Sequence, residues 1–219
     1  MRRQAVDAIR DSKSKSETTR AAIIEHALGV ASHDGLEALT LGTLADSMKM
    51  SKSGVFSRVG SRETLQLAVL ANYRQRFEAQ VLHPSQRMAP GLPRLRRLFD
   101  MSLRQVESGQ ATNSAGCFYI SCAAEYDDRP GAVRHALTDS VNAWRDAFEE
   151  GARQAVLLKH LAGDLDPGQL VFEIYALLLA AQHDTRLLEQ RSATARARAG
   201  FERLLARCGA QPHGEPSHA

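Results

Sequence analysis

The sequence is poor in cysteine, in aromatic residues and in long apolar segments. Only 5% of its 219 residues are aromatic, and its three cysteines are Cys117, Cys122 and Cys208. Three cysteines build no disulfide framework, and these match no zinc spacing. The longest apolar run, residues 174–181, is far shorter than the ~20 residues that span a bilayer. Because residues 1–20 are polar and resemble no secretory signal, we expect a cytoplasmic protein without a membrane segment.

Strong net charge is missing as well. The chain has 28 Lys and Arg against 25 Asp and Glu, which leaves a net charge of +3 at pH 7. A protein that coats nucleic acid carries a large positive excess, so any nucleic-acid site here must concentrate its positive charge locally. The eight histidines form no clustered ligand set, and we expect neither a metal site nor a cofactor.

The features of an enzyme are absent too. We find no Ser/His/Asp arrangement, no phosphate-binding glycine loop and no convincing pair of carboxylates. Glu149 and Glu150 are adjacent, so on a helix they project about 100° apart and suit a solvated face. An all-helical enzyme is therefore the weaker interpretation.

Apolar residues instead recur with helical period along almost the whole chain, and no segment alternates like a strand. The fold is therefore predicted to be all-α. Ser14 and Glu17 fit a capping box, so the first helix is predicted to begin there, after a flexible basic arm at residues 1–14. Breaks are predicted at Gly35, at 83–93 and at 109–116, and residues 209–219 are predicted to be a disordered tail.

Residues 39–62 contain two short predicted helices separated by about three residues. A helix-turn-helix needs a small residue where its helices cross and an apolar residue that holds the second helix against the first. Ala45 and Val55 suit these two positions. Ser51 is a good N-cap for the second helix, and Val55, Phe56 and Val59 are predicted to face inward.

The opposite face of the second helix would expose Lys52, Ser53, Ser57 and Arg58. Residues 49–62 contain four positive charges and no acidic residue. Polar side chains on such a helix can reach base edges in the major groove, while Lys and Arg neutralise phosphates. This segment therefore provides the local positive charge that DNA binding requires.

An ordered series of residues in this region resembles the TetR family of transcriptional regulators. The residues that carry the resemblance are Thr19-Arg20, Ile23-Ile24, Gly35, Leu39-Thr40, Leu44-Ala45, Ser51-Lys52, Val55-Phe56 and Ser61-Arg62-Glu63-Thr64-Leu65. The match covers roughly residues 18–70. It implies an N-terminal three-helix helix-turn-helix DNA-binding domain at 15–66 and a larger helical ligand-binding and dimerisation domain at 67–208.

The resemblance also implies roles for individual residues. Thr40 and Arg62 would hold phosphates. The full predicted DNA-binding set is Thr40, Lys49, Ser51, Lys52, Ser53, Ser57, Arg58 and Arg62.

Three residues depart from the family pattern. Lys49 stands where a turn glycine is usual, and a non-glycine residue in a left-handed turn costs ~1–2 kcal/mol. Phe56 replaces a common tyrosine, so one hydroxyl contact to phosphate is absent. Val59 replaces a frequent phenylalanine, which thins the packing.

The family's dimers associate through the last two long helices. Apolar residues suited to that interface, or alternatively to the core of one chain, are Leu170, Ile174, Leu177, Leu178, Ala181, Phe201, Leu204 and Leu205. Periodicity does not separate these two interpretations.

A small-molecule inducer would bind inside the larger domain. Its candidate lining residues are Phe99, Leu103, Cys117, Phe118, Cys122, Trp144, Phe148 and Tyr175. Ordinary core packing is the competing interpretation for each of them. Trp144 is the best candidate because a buried indole N–H needs a partner. A redox role for Cys117 and Cys122 is a weaker alternative, since residues five apart on one helix point in different directions.

The sequence thus favours a homodimeric repressor that binds a palindromic operator in double-stranded DNA and is released by a small molecule. The alternative from another class is a helical interaction protein whose basic segment binds acidic partners without preference among DNA sequences.

Overall fold

The computed structural model describes residues 2–112 and 117–209, with side chains described for 15–107 and 117–209, and these ranges contain helices and no strand. The helices are α1 (Arg2–Asp34), α2 (Leu41–Ser47), α3 (Lys52–Val59), α4 (Arg62–Phe77), α5 (His83–Gln86), α6 (Leu92–Thr112), α7 (Phe118–Tyr126), α8 (Ala132–Leu157), α9 (Pro167–Arg186) and α10 (Ala193–Arg207). A π-helical turn, Glu78–Leu82, joins α4 to α5. The predicted all-α fold is confirmed.

Helix α1 begins earlier than the sequence analysis predicted. It starts at Arg2 rather than at Ser14, so the capping box at Ser14 does not mark the start of the helix. The reason is helix propensity: the first glycine is Gly29, no proline precedes it, and Ala and Arg are frequent. The segment predicted as a flexible arm is therefore helical from Arg2 onward. The predicted tail lies, apart from Gly209, outside the described residues.

Side chains cap the starts of three helices, and the cap predicted at Ser51 is confirmed. The hydroxyl of Ser51 accepts the Gly54 N–H at 3.1 Å, and that of Ser61 accepts the Thr64 N–H at 3.1 Å. At α9 the Asp166 carboxylate accepts the N–H of Gly168 at 2.8 Å. Each of these bonds satisfies a backbone donor that the helix itself leaves unpaired.

The predicted break at 83–93 is shorter than expected. The chain stays helical through Pro84, which occupies the first turn of α5, and the turn between helices lies at 87–91. Proline is tolerated there because the first residues of a helix do not donate within it, and the π-helical turn directly precedes it. Likewise Gly109 lies within α6, which continues to Thr112.

The chain divides into two compact units. The first unit comprises the residues up to Gln75 together with Cys122–Leu137, and the second comprises Arg76–Ser121 and the residues from Thr138 on. This division differs from the continuous domains predicted at 15–66 and 67–208. The first unit is completed by the end of α7 and the start of α8, which are distant in sequence from the helix-turn-helix.

Helices α1, α2 and α3 pack together in the first unit. Their shared core contains Ile23, Ala27, Leu44 and Val55, each fully buried. Burial of apolar surface stabilises the folded state by about 25 cal/mol per Å² removed from water. This core therefore holds α3 against the other two helices.

Helices α6, α9 and α10 pack together in the second unit. The rings of Phe99 and Phe201 stack with centroids 4.0 Å apart. The residues suggested for a dimer interface are, with the exception of the half-buried Leu177, 5% exposed or less within one chain. The alternative interpretation, that they fill the core of the monomer, is therefore confirmed for them.

Candidate nucleic-acid interface

Helix α2 begins at a capping box formed by two threonines. The Thr40 hydroxyl accepts the Thr43 N–H at 3.0 Å, and the Thr43 hydroxyl in turn faces the Thr40 N–H at 3.4 Å. Thr40 was predicted to hold a phosphate; it is exposed and N-caps α2. This bond aligns the first turn of α2 and keeps the Thr40 side chain at the surface.

The turn between α2 and α3 is left-handed at Lys49, as predicted. Lys49 has φ +54°, a conformation that glycine adopts without strain. The Met50 N–H donates to the Ala45 carbonyl at 2.9 Å, which closes the turn. Ala45 and Val55, predicted to hold the two helices together, are 3% and 0% exposed. The sequence therefore predicted the helix-turn-helix packing correctly.

The outward face of α3 carries Lys52, Ser53, Phe56 and Ser57, all exposed. The prediction that Phe56 faces inward is wrong, since its side chain is 56% exposed. A helix turns about 100° per residue, and burial of Val55 and Val59 on one side sends the intervening Phe56 to the other. The exposed face is therefore mixed, with basic, hydroxyl and aromatic groups.

Arg58 lies along its own helix. One guanidinium nitrogen donates to the Gly54 carbonyl at 2.9 Å, while the Nε is buried without a hydrogen-bond partner in the described part of the chain. A buried donor without a partner is costly. Arg58 was also predicted to lie at the groove, but its guanidinium is bonded to the backbone of its own helix.

Arg62, the second predicted phosphate contact, is held within the protein. Its Nε donates to the Leu39 carbonyl at 2.8 Å, and its Nη2 donates to the Glu37 carboxylate at 2.7 Å and also to the Glu37 carbonyl. These bonds tie the first residue of α4 to the loop that precedes α2. In this arrangement Arg62 positions the helix-turn-helix.

Glu37 is the centre of a polar cluster, which we call the Glu37 cluster: Glu37, Arg62, Gln66, Tyr126 and Arg129. The Tyr126 hydroxyl donates to the Glu37 carboxylate at 2.8 Å, and Arg129 forms an ion pair with it at 3.1 Å. The hydrogen bond from Tyr126 holds the pKa of Glu37 below its usual value, and Arg62 and Arg129 add to this effect. Burial and the neighbouring Glu37 raise the pKa of Tyr126.

The turn after α1 depends on Glu125. Its carboxylate accepts the backbone N–H groups of Leu36 at 3.2 Å and Glu37 at 2.9 Å. Gly35, which ends α1 as predicted, has φ +95°, and a Cβ there would lie 2.8 Å from the Glu125 carboxylate. The end of α7 thus closes the turn that leads into α2.

The candidate ligand residues are buried except for the half-buried Tyr175, and the structure groups only some of them. Trp144 packs edge-on against Tyr175, with centroids 5.5 Å apart, and tilted against Phe148 at 6.4 Å. Its indole N–H donates to the Ser102 hydroxyl at 3.0 Å, so the expected partner exists. Sequence reasoning missed Ser102 and also Phe77, whose ring centroid lies 5.2 Å from that of Trp144.

The remaining candidate ligand residues have contacts other than those of the aromatic cluster around Trp144. Phe99 stacks on Phe201, and the Cys117 N–H donates to the Gln182 side chain at 3.0 Å. Leu103 and Phe118 are buried in the second unit and Cys122 in the first. Neither Cys117 nor Cys122 forms a disulfide within the described part of the chain. The described residues contain no group of side chains suited to a metal ion and no helix long and apolar enough to cross a membrane.

Solved structures share this fold. A TetR transcriptional regulator from Chloroflexus aurantiacus matches with a TM-score of 0.77 at 17% identity, over 90% of this chain and 98% of that one. A TetR-family regulator from Cytophaga hutchinsonii gives 0.73 at 19%, over 89% and 96%. AibR, in complex with isovaleryl coenzyme A and operator DNA, gives 0.68 at 22%, over 83% and 95%.

The comparison of sequences identifies the family. No curated protein matches the chain. The family model described as the C-terminal domain of tetracyclin repressor-like proteins matches residues 91–201, just over half of the chain. The N-terminal helix-turn-helix and the match to the C-terminal domain agree, and the chain belongs to the TetR family of transcriptional regulators.

Proposed function

We propose that this regulator is a homodimeric repressor that binds a palindromic operator through α3 and leaves it when a small molecule binds the second unit. The observation that carries the proposal is the exposed face of α3. Lys52, Ser53 and Ser57 project from it, and no acidic residue occurs between positions 49 and 62. Such a face suits the major groove, where hydroxyl and cationic side chains meet base edges and phosphates.

The contacts divide into two groups in this proposal. Lys49, Lys52, Ser53 and Ser57 reach DNA directly, since all are exposed. Thr40, Ser51 and Arg62 hold α2, α3 and α4 in place through the caps and bonds described above. Arg58 joins the first group by exchanging the Gly54 carbonyl for an acceptor on DNA, which also gives its unpaired Nε a partner.

A second copy of the chain is the proposed occupant of a groove between α9 and α10. The groove has a volume of about 470 Å³ and is lined by Phe172, Glu173, Ala176, Leu177, Gly200, Arg203, Leu204 and Arg207. Phe172 is 61% exposed and Leu179 on the same helix is 39% exposed. Residues 172, 176 and 179 share one stripe of α9, so an isologous contact would bury them against their own copies.

Close packing shapes that groove. A Cβ on Gly200 would lie 2.9 Å from the Leu177 side chain, so glycine lets α10 approach α9 closely. The interface therefore uses the faces of α9 and α10 that the monomer core leaves open. In a dimer that binds a palindromic operator, the two helix-turn-helix heads would contact successive major grooves about 34–36 Å apart.

The inducer is proposed to bind near the aromatic cluster of Trp144, Phe148 and Tyr175. This cluster combines large apolar faces with the Ser102 hydroxyl, and the Arg145 guanidinium lies 5.1 Å from the Tyr175 ring. AibR provides a precedent for one protein of this fold that is found with both a small molecule and operator DNA. A ligand that prefers the conformer with wrongly spaced heads would release DNA by its differential affinity.

The test is selection of bound fragments from random duplex DNA at two salt concentrations. A palindromic site whose preference persists as the salt concentration rises supports the proposal. The variant Lys52→Ala/Ser57→Ala should lose most of its affinity for that site, whereas Lys159→Ala, at an exposed lysine of the second unit, should keep it. Uniform binding that salt abolishes would instead favour an interaction protein without base preference.

A further inference from the structure

Phe56 is a large apolar side chain in the middle of the helix that faces DNA. Its side chain is 56% exposed, while Val55 and Val59 on either side of it are 0% and 3% exposed. Lys52 lies one turn before it on the same face, and Ser53 and Ser57 flank it. The fold therefore presents one phenyl ring, bordered by basic and hydroxyl groups, to whatever α3 binds.

The surroundings of the ring restrict its partner. With four positive charges and no acidic residue in positions 49–62, the partner is expected to be anionic at its rim. It must also offer an apolar group at the centre, since a phenyl ring makes no hydrogen bond. Duplex DNA meets both conditions in the major groove, where the C5-methyl of thymine is the apolar group on the base edges.

We propose that Phe56 is a specificity-determining residue that packs against the C5-methyl of a thymine at one position in each operator half-site. The inference rests on the proposed function, in which α3 enters the major groove. Around this contact, Lys52 neutralises phosphates and Ser57 forms hydrogen bonds with polar base edges. Phe56 supplies the preference for thymine over the other three bases at its position.

The test replaces each thymine of the selected operator in turn by deoxyuridine, which removes only the methyl group. Affinity is measured by fluorescence anisotropy for the wild-type protein and for Phe56→Ala. For the wild type, one substitution per half-site should weaken binding by about fourfold, the factor for burying one methyl group. For Phe56→Ala the same substitution should have no effect, because the ring that contacts the methyl is gone.

Two further variants serve as controls. Phe56→Leu keeps an apolar side chain and should retain the loss on deoxyuridine, at reduced size. Leu187→Ala alters a side chain that is 70% exposed in the second unit and should leave the wild-type pattern unchanged. Because Phe56 and Leu187 are both exposed, these variants are expected to keep the wild-type melting temperature.

The outcomes separate the two proposals. If the wild type binds a palindromic site but no deoxyuridine substitution weakens it, or the loss persists in Phe56→Ala, the inference about Phe56 is overturned and the proposed function stands. A selected half-site that contains no thymine would likewise overturn the inference about Phe56 and leave the proposed function standing. If no sequence preference is recovered at all, both are overturned, and the ring faces a partner other than DNA.

Discussion

The hydroxyl of Tyr126, at the end of α7, donates a hydrogen bond to the carboxylate of Glu37 in the loop before α2. The same hydroxyl accepts a bond from Gln66 at 3.0 Å, and Gln66 also donates to the Leu36 carbonyl. Tyr126 is only 5% exposed. One buried phenol therefore joins α4, α7 and the loop that leads into the helix-turn-helix.

Replacing this hydroxyl should weaken the fold of the first unit. We expect Tyr126→Phe to lower the free energy of unfolding by about 1–2 kcal/mol, because it breaks two hydrogen bonds, one of them to a carboxylate. Urea denaturation followed by circular dichroism measures the effect. Tyr175→Phe is the matched control, since the Tyr175 hydroxyl forms no hydrogen bond within the described ranges, and it should change the value little. Equal losses in the two variants would contradict the role of Tyr126.

The charge of Glu37 should make stability depend on acid pH. Its pKa in the folded chain is lowered from 4.5, so the ionised carboxylate stabilises the folded state above that value. The contribution is lost as the pH falls through the lowered pKa. We expect the melting temperature of the wild type to exceed that of Glu37→Gln near pH 7. The gap should narrow below about pH 4.5, and a gap that is constant with pH would show that the charge does not matter.

Two glycines of the first unit should respond to alanine with opposite signs. Gly35→Ala places a Cβ at positive φ and against the Glu125 carboxylate, so we expect a loss of about 1–3 kcal/mol. Gly29 lies within α1, where a Cβ would have no neighbouring atom within 4 Å, and Gly29→Ala should add about 0.5–1 kcal/mol. Thermal unfolding of both variants tests this directly. Stabilisation by Gly35→Ala would show that the turn tolerates a side chain.

Lys49 should affect stability and DNA binding independently. Glycine relieves the strain at φ +54°, so Lys49→Gly should stabilise the fold by up to about 1 kcal/mol while it removes one charge from the DNA-facing surface. Lys159, with φ +58°, is the matched control in the second unit. Both variants should melt at higher temperature. Only Lys49→Gly should lower operator affinity, and the slope of the logarithm of the binding constant against the logarithm of the salt concentration should fall by about one. An unchanged slope would show that Lys49 does not contact a phosphate.

The groove between α9 and α10 should control the oligomeric state. Phe172→Asp puts a charge at the centre of the proposed interface, and we expect it to convert a dimer into a monomer in light scattering at micromolar concentration. Leu187→Asp, at a side chain with 70% exposure outside the groove, should leave the dimer intact. A wild type that is monomeric, or a Phe172→Asp variant that remains dimeric, would contradict the proposal.

Short-range features of the chain were predictable because they depend on neighbouring residues. The caps at Ser51, Ser61 and Asp166 and the left-handed turn at Lys49 each follow from a few consecutive side chains. The orientation of Phe56 was not predictable. A period of 3.6 allows an apolar residue next to Val55 on either border of a buried face, and only the packing of α3 decides which.

Long-range features escaped prediction for a different reason. Leu36 and Glu125 are separated by 89 residues, and so are Glu37 and Tyr126. No local pattern connects a glutamate after one helix with a tyrosine at the end of another. The residues considered for the dimer interface were not assignable from sequence either. Periodicity predicts an apolar face on α9, but it does not distinguish a face buried in the monomer from one buried by a second copy.

The discontinuous first unit has a consequence for synthesis on the ribosome. The chain is made from its N-terminus, and about 60 residues separate Gln75 from Leu137, where the unit ends. At about 5–20 residues per second, translation therefore takes several more seconds to supply Glu125 and Tyr126 after α4 has been made. A nascent or prematurely terminated chain that ends near Gln75 lacks the Glu125 carboxylate that closes the turn at Gly35, and its Glu37 keeps Arg62 but lacks Tyr126 and Arg129. We therefore expect the first unit to reach its full stability only in chains whose translation has passed well beyond the helix-turn-helix itself.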